Sequence, residues 1–194
     1  MLNRRGFTLI ELMVTLAVFA ILIMMALPSF SAWMNNMRIR GAAEAVQNGL
    51  HLARTTAIAH NTQVMFVFPT PGSLDYLVYE LVSPGALPVS WTAPASTDIN
   101  MVQQYNQAEG ASNTAVTIGG PDPAAYMVTF GSLGQVLGNP DGSTSLTKIG
   151  VDSATSSGQP GIRPLNVLIF AGGATKACDP DSKILNTDSR FCSF

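Results

Sequence analysis

The sequence predicts an α+β protein in which a long N-terminal α-helix packs on an antiparallel β-sheet or sandwich domain. Three observations support this prediction. Residues 7–27 form an apolar run with a single charge, a helical stripe of apolar residues continues to Ala57, and the pattern changes to period two with β-forming residues after His60. One helix followed by many short strands is typical of a fold in which the helix covers a sheet.

The apolar run has about the ~20 residues that a helix needs to cross a bilayer. Arg4 and Arg5 precede it, so the positive-inside rule predicts a cytoplasmic N-terminus and a translocated remainder. Glu11 lies within the run, where an acidic side chain costs roughly 2.5–3.5 kcal/mol near the bilayer centre. A plain single-pass anchor that tolerates this charge is the simplest alternative, but the cost indicates that Glu11 has a partner or a function.

The residues around Glu11 stand in the order Arg-Arg-Gly-Phe-Thr-Leu-Ile-Glu-Leu over positions 4–12. This order resembles the class III signal of type IV pilins and type II secretion pseudopilins. The resemblance implies that a prepilin peptidase cuts after Gly6 and that the new N-terminal residue, Phe7, is N-methylated. It also implies that the Phe7 amine pairs with Glu11 of the same or a neighbouring subunit, which would offset the cost of burying the carboxylate. Glu11 would then recruit a neighbouring subunit and set the register between the two helices.

The helix is expected to continue beyond the apolar run to about residue 60. Pro28 should kink or loosen it where the run ends. Apolar residues then return at spacings of three and four, as a stripe that should pack on the globular domain: Ile39, Ala43, Val46, Leu50, Ala53 and Ala57. A helix over 7–60 would be roughly 80 Å long, with a membrane half and a soluble half.

This interpretation divides the chain into a leader at 1–6, a helix at 7–60 and a β-rich periplasmic or extracellular domain at 61–194. Strands are expected at 62–68, 75–82, 99–105, 114–118, 125–130, 146–151 and 165–171. Asn-Pro-Asp-Gly at 139–142 is a turn signal, and 153–161 is expected to be a flexible loop. The Pro/Ala/Ser-rich stretch 83–98 is expected to be a surface loop with Trp91 against the core.

The composition and the motifs limit the classes of function that the chain could have. Charged residues make up 11% of the chain, as suits an exported surface domain, and the formal net charge of −2 gives no overall attraction to DNA. No hydrolase, metalloprotease or phosphate-loop motif occurs, so neither an enzyme nor a cofactor is expected. His51 and His60 are nine positions apart, on opposite faces of a helix, and do not suggest a shared metal site.

The two cysteines, Cys178 and Cys192, predict one disulfide in an oxidising compartment, worth about 3 kcal/mol in the chain-entropy model. A metal pair is the less favoured alternative. Oxygen ligands for Ca²⁺ could come from the same region, but the spacing lacks the EF-hand glycine and glutamate, so turn chemistry is the better interpretation. The residues considered for that cation are Asp179, Asp181, Asn186 and Asp188.

The C-terminal part carries a second resemblance. Arg-Pro-Leu-Asn-Val-Leu-Ile at 163–169, Gly-Gly at 172–173 and Cys-Asp-Pro at 178–180 look like the end of FimT/FimU-type minor pilins, the group that includes the GspH pseudopilins. Phe-Gly-Ser-Leu-Gly at 130–134, with the turn at 139–142, looks like the turn region of that group.

The two resemblances together imply a minor pilin that helps initiate type IV pilus assembly in a tip complex. The implied partners are other minor pilins, the major pilin, prepilin peptidase, the inner membrane and the assembly platform. A type II secretion pseudopilin is the alternative within the class; the cysteine pair favours the pilus system.

An alternative of another class is a DNA-binding minor pilin for natural transformation. Some FimT-like proteins bind DNA through a Gly-Arg-x-Arg element, and the aligned residues here are Gly-Ala-Thr-Lys at 173–176. Both arginine positions differ, and a lysine keeps a point charge but loses the guanidinium fork. The side chains that could still form a basic patch are Arg163, Lys176, Lys183 and Arg190.

Overall fold

A computed structural model describes residues 8–70, 72–81, 100–119 and 125–192, without the side chains of 25–29 and 118–119. Helix α1 spans Leu9–His60, 52 residues, and so includes Pro28. It ends at Asn61 with a left-handed φ of 54°, where the Thr62 N–H donates to the Ala57 carbonyl at 3.2 Å. This pair of features is a Schellman cap. The predicted long helix is confirmed over the described residues.

Nine strands follow α1 in the described ranges: β1 Gln63–Val67, β2 Tyr76–Leu81, β3 Met101–Tyr105, β4 Thr114–Gly119, β5 Met127–Phe130, β6 Val136–Leu137, β7 Lys148–Ser153, β8 Leu165–Ile169 and β9 Thr175–Cys178. One sheet has the order β3-β2-β1-β5-β6 and the other β4-β7-β8-β9. All pairings between these strands are antiparallel. The α+β prediction of a helix on antiparallel sheets is therefore confirmed.

The seven predicted strands overlap β1 to β5, β7 and β8, whereas β6 and β9 were not predicted. β7 also begins two residues later than expected, because the Leu146 N–H donates to the Met127 carbonyl of the other sheet at 2.9 Å. Ser153, the first residue of the predicted loop at 153–161, ends β7, and the rest of that stretch contains no strand or helix. The proposed loop at 83–98 and its Trp91 lie outside the described residues.

Both sheets pack against α1 and are joined to each other by backbone hydrogen bonds. Besides the Leu146–Met127 bond, the Val136 N–H donates to the Ala171 carbonyl at 2.9 Å. A further bond links β4 to the segment before β2, where the Val116 N–H donates to the Gly72 carbonyl at 3.2 Å. Together the sheets enclose the predicted apolar stripe of α1, all six residues of which are at most 2% exposed. The β-domain side of this core includes Phe66, Tyr76, Val78, Phe130, Ile149, Val151 and Val167.

Tyr76 ties β2 to the helix. Its ring is 1% exposed, stacks on Tyr105 with a centroid distance of 5.0 Å, and donates its hydroxyl to the Ala45 carbonyl at 2.9 Å. A Cβ at Gly49 would lie only 2.5 Å from the Tyr76 ring. The absence of a side chain at Gly49 therefore lets the ring rest on the helix backbone.

The β5–β6 turn and the β8–β9 turn meet next to α1. The Arg54 Nε donates to the Gly134 carbonyl at 3.0 Å, which ties the β5–β6 turn to the helix. Gly173, in the β8–β9 turn, has φ of +77°, and a Cβ there would lie 1.8 Å from the same carbonyl oxygen. The glycines at 134 and 173 thus serve the close approach of two backbones.

Candidate functional site

The first part of α1 presents a continuous apolar surface. Every described side chain from Thr8 to Met24 is exposed, including Leu9 at 76% and Phe19 at 62%. Apolar surface of this extent is typical of a helix that is covered by lipid or by other helices. In the described part of the chain, no helix is both long and apolar enough to cross a membrane.

Glu11 lies in the first turn of this exposed helix. Its backbone N–H donates to the Thr8 hydroxyl at 3.3 Å, so Thr8 is the N-cap and Glu11 has the third position of a Thr-x-x-Glu capping pattern. Within the described ranges the Glu11 carboxylate has no hydrogen-bond or ion-pair partner. The cap at Thr8 was not predicted, although a threonine three residues before a glutamate is the usual sequence signal for one. The predicted cleavage and methylation positions, Gly6 and Phe7, lie outside the described residues.

The predicted disulfide is present. Cys178, at the end of β9, is bonded to Cys192 with Cα atoms 5.1 Å apart. The closed loop is held by the Asp179 N–H, which donates to the Arg190 carbonyl at 2.8 Å, and by the Lys176 Nζ, which donates to the Phe191 carbonyl at 3.0 Å. Because the two cysteines are bonded to each other, they do not form the metal-binding pair that was the less favoured alternative.

Acidic residues of the disulfide loop form turns. Oδ1 of Asp179 accepts from the Asp181 N–H, and Oδ1 of Asp181 accepts from the Lys183 N–H, both at 3.0 Å. Asp188 is paired with Arg190 through Oδ2 and Nη2 at 2.7 Å, and the hydrogen bonds from Arg190 lower the pKa of Asp188 to about 2. The turn interpretation accounts for these carboxylates.

The four residues of the predicted basic patch have different surroundings. Lys176 is half-buried and donates to a carbonyl, Lys183 is exposed, and Arg190 is paired with an aspartate. Arg163 and Arg190 line one groove of about 330 Å³, together with Arg40 of α1. DNA binding by these residues stays a prediction.

Arg40 was not among the predicted residues of the basic patch, although it lines this groove. It is exposed on α1 and also lines a neighbouring groove of about 370 Å³ with Trp33, Met37 and Arg163. The Arg163 segment reaches the helix because the Arg163 N–H donates to Asn36 Oδ1 at 2.8 Å. Only the tertiary contact between 161–163 and α1 brings these arginines together, so a helical pattern alone could not identify the pair.

The two histidines do not meet. His60 Nδ1 lies 2.9 Å from Glu80 Oε2, and Glu80 Oε1 accepts from the Thr62 hydroxyl at 2.9 Å. The hydrogen bond from His60 is the largest cause of a lowered pKa at Glu80. This cluster connects the end of α1 to β2.

Two protein-family models match separate parts of the chain. The model of the prokaryotic N-terminal methylation motif matches residues 1–27, and that of the type II transport protein GspH matches residues 42–173. Comparison with curated protein sequences finds no match. Two crystal forms of the type IV minor pilin FimU from Pseudomonas aeruginosa PAO1 are similar, with TM-scores of 0.47 and 0.46 and 14% identity. The similarity covers 74% of this chain and 93% and 98% of the two FimU chains.

The GspH match covers more than half of the chain, and the methylation motif accounts for its start. The motif implies processing by a prepilin peptidase and assembly with other pilins. A protein of this kind is structural and not an enzyme. The chain belongs to the family of the type II transport protein GspH, and it begins with the prokaryotic N-terminal methylation motif.

Proposed function

We propose that the chain is a minor pilin of a type IV pilus and helps initiate pilus assembly within a complex of minor pilins at the tip. The observation that carries this proposal is the Glu11 carboxylate, which stands on an exposed apolar surface without a partner in the described part of the chain. A carboxylate covered by lipid or by apolar helices needs a positive group close to it.

The positive group is the amine of mature Phe7. Cleavage after Gly6 removes Arg4 and Arg5 and leaves that amine at the start of the apolar helix. In a bundle of such helices, the amine of one subunit pairs with Glu11 of its neighbour and sets the register between them. The match of the methylation motif to residues 1–27 supports this maturation.

Before assembly, residues 7–27 lie in the bacterial inner membrane with the N-terminus in the cytoplasm. The 61–194 domain is then periplasmic, and it is carried into the pilus with the helix. The Cys178–Cys192 disulfide supports an oxidising compartment for this domain.

A type II secretion pseudopilin remains the second candidate, because the matched family model is that of GspH. The same helix pairing would then build a pseudopilus. A deletion strain separates the two candidates: loss of surface pili with normal exoprotein secretion supports the pilus, and the reverse result supports the pseudopilus.

Intact mass spectrometry of the protein from membranes tests the maturation. The proposal predicts the loss of residues 1–6, the gain of one methyl group and the two hydrogens lost on forming the disulfide. A protein that keeps its first six residues would contradict the proposed role of the Phe7 amine.

A further inference from the structure

Two arginines from distant parts of the chain share a groove beside an exposed tryptophan. Arg40 and Arg163 line the groove of about 370 Å³ together with Trp33 and Met37. Neither guanidinium has a hydrogen-bond or ion-pair partner among the described residues. We call the surface formed by Trp33, Met37, Arg40 and Arg163 the basal groove, because it lies where the β domain first meets α1.

Hydrogen bonds from α1 hold one wall of the basal groove in place. The Asn36 side chain donates to the Gly161 carbonyl at 2.7 Å and accepts from the Arg163 N–H at 2.8 Å, so one residue of α1 holds the segment 161–163 on the helix. A Cβ at Gly161 would come within 3.6 Å of Ala32. The two hydrogen bonds of Asn36 therefore place the backbone at Arg163 beside the helix turn that precedes Arg40.

The groove is next to the region where the helix leaves the proposed membrane span. Phe30 is 60% and Trp33 56% exposed, and their rings are 5.8 Å apart. Exposed aromatic residues just beyond an apolar run are typical of the headgroup level of a bilayer. Arg40 is about 10 Å farther along the axis, and helical side chains lean toward the N-terminus, so its guanidinium reaches back toward that level.

We propose that the basal groove binds the phosphate of an anionic phospholipid at the periplasmic surface and so holds the β domain against the membrane before assembly. This inference rests on the proposed membrane insertion of residues 7–27. Two unpaired guanidinium groups suit one phosphate, which they can grip through charge-assisted hydrogen bonds. Trp33 packs beside the lipid glycerol and the first part of its chains.

The surrounding charges favour a lipid over a nucleic acid. A protein that follows a DNA backbone neutralises several successive phosphates. Near the basal groove, however, Arg190 is already paired with Asp188, and Lys176 donates to a carbonyl. Glu44 is one turn beyond Arg40 on the helix and forms no ion pair with it in the structure, but its charge further weakens the attraction for an extended polyanion.

Native mass spectrometry of the full chain in detergent micelles tests the inference, with phosphatidylglycerol and phosphatidylcholine added separately. The wild type should retain phosphatidylglycerol more strongly. Arg40→Gln combined with Arg163→Gln should weaken this retention about twenty-five-fold, roughly fivefold for each arginine, and should leave phosphatidylcholine retention unchanged. Arg38→Gln is the matched control, because it removes the same charge from the same helix outside both grooves, and it should have less than a twofold effect.

Several results would overturn the inference. Equal retention of both lipids, or equal retention by the wild type and the double variant, would remove the role of the arginines. Displacement of the lipid by equimolar glycerol phosphate would make the groove a site for a free phosphate ester. Displacement by an oligonucleotide whose binding needs the same two arginines would make it a nucleic-acid surface.

Alkaline extraction of membranes separates this inference from the proposed function. If the wild-type chain is extracted with peripheral proteins, the proposed membrane insertion is wrong. If the chain stays in the membrane but shows no preference for phosphatidylglycerol, only the lipid site is wrong.

Discussion

Replacing Gly49 by alanine should destabilise the protein, although alanine is the better helix former. Propensity alone predicts a gain of about 1 kcal/mol for Gly→Ala within a helix. In the structure, the new Cβ would lie 2.5 Å from Tyr76 Cε2 and 2.8 Å from Phe66 Cε2. Both rings are fully buried, so neither can move into solvent.

The cost of this contact can be estimated from its parts. Overpacking a filled core costs about 1–3 kcal/mol. A shift of the Tyr76 ring would also weaken its hydrogen bond to the Ala45 carbonyl, worth about 1 kcal/mol. Subtracting the gain in helix propensity leaves a net loss of about 1–3 kcal/mol in the free energy of unfolding.

Gly41→Ala is the matched control, because it makes the same change in the same helix with no atom within 4 Å of the new Cβ. It should raise the free energy of unfolding by about 0.5–1 kcal/mol. Urea unfolding of the full chain in mild detergent, monitored by circular dichroism, would measure the free energy of unfolding of both variants. The dependence of that free energy on urea concentration should be the same in both. If Gly49→Ala stabilised the chain as much as Gly41→Ala does, the packing of Tyr76 on the helix backbone would be wrong.

Three further predictions concern the β domain and can be checked with the same unfolding measurement. Changing both Cys178 and Cys192 to serine should lower the free energy of unfolding by about 3 kcal/mol, and an unchanged midpoint would show that the disulfide does not restrain the unfolded chain. Gly173→Ala should cost at least about 2 kcal/mol, because it combines a φ of +77° with a clash against a backbone carbonyl, and a neutral effect would refute the close approach of the two turns. Because the hydrogen bond to His60 lowers the pKa of Glu80 below 4.5, the stability from this carboxylate is complete above pH 4.5 and is lost as the pH falls through the lowered pKa. Glu80→Gln should flatten this acid dependence, and a variant that keeps the full dependence would assign it to other carboxylates.

Local pattern was enough to predict most of the fold. The spacing of three and four from Ile39 to Ala57 identified the buried face of α1, because a long helix on a sheet has one face to bury. The strands from β1 to β5 were found from period-two runs of β-forming residues. β6 has two residues and β9 four, with no apolar alternation, and both exist through pairing with strands already in place.

Some residues of the candidate site could be predicted from local sequence, and others only from the tertiary structure. Glu11 and the cysteine pair stand out because a charge in an apolar run and two lone cysteines are local anomalies. The meeting of Arg40 with Arg163 depends on how the segment before β8 docks on Asn36, which is a tertiary event. The engagement of Lys176 by the Phe191 carbonyl likewise follows from closure of the disulfide loop.

The proposed role of Glu11 in assembly is tested most directly by the distribution of Glu11→Ala between membranes and sheared filaments. The variant should be processed and inserted in the membrane as well as the wild type, or better, because it removes a charge from the apolar run. Its amount in sheared filaments, or in the complex that initiates them, should fall strongly. Incorporation of Glu11→Ala at the wild-type level would contradict the pairing of Glu11 with the Phe7 amine.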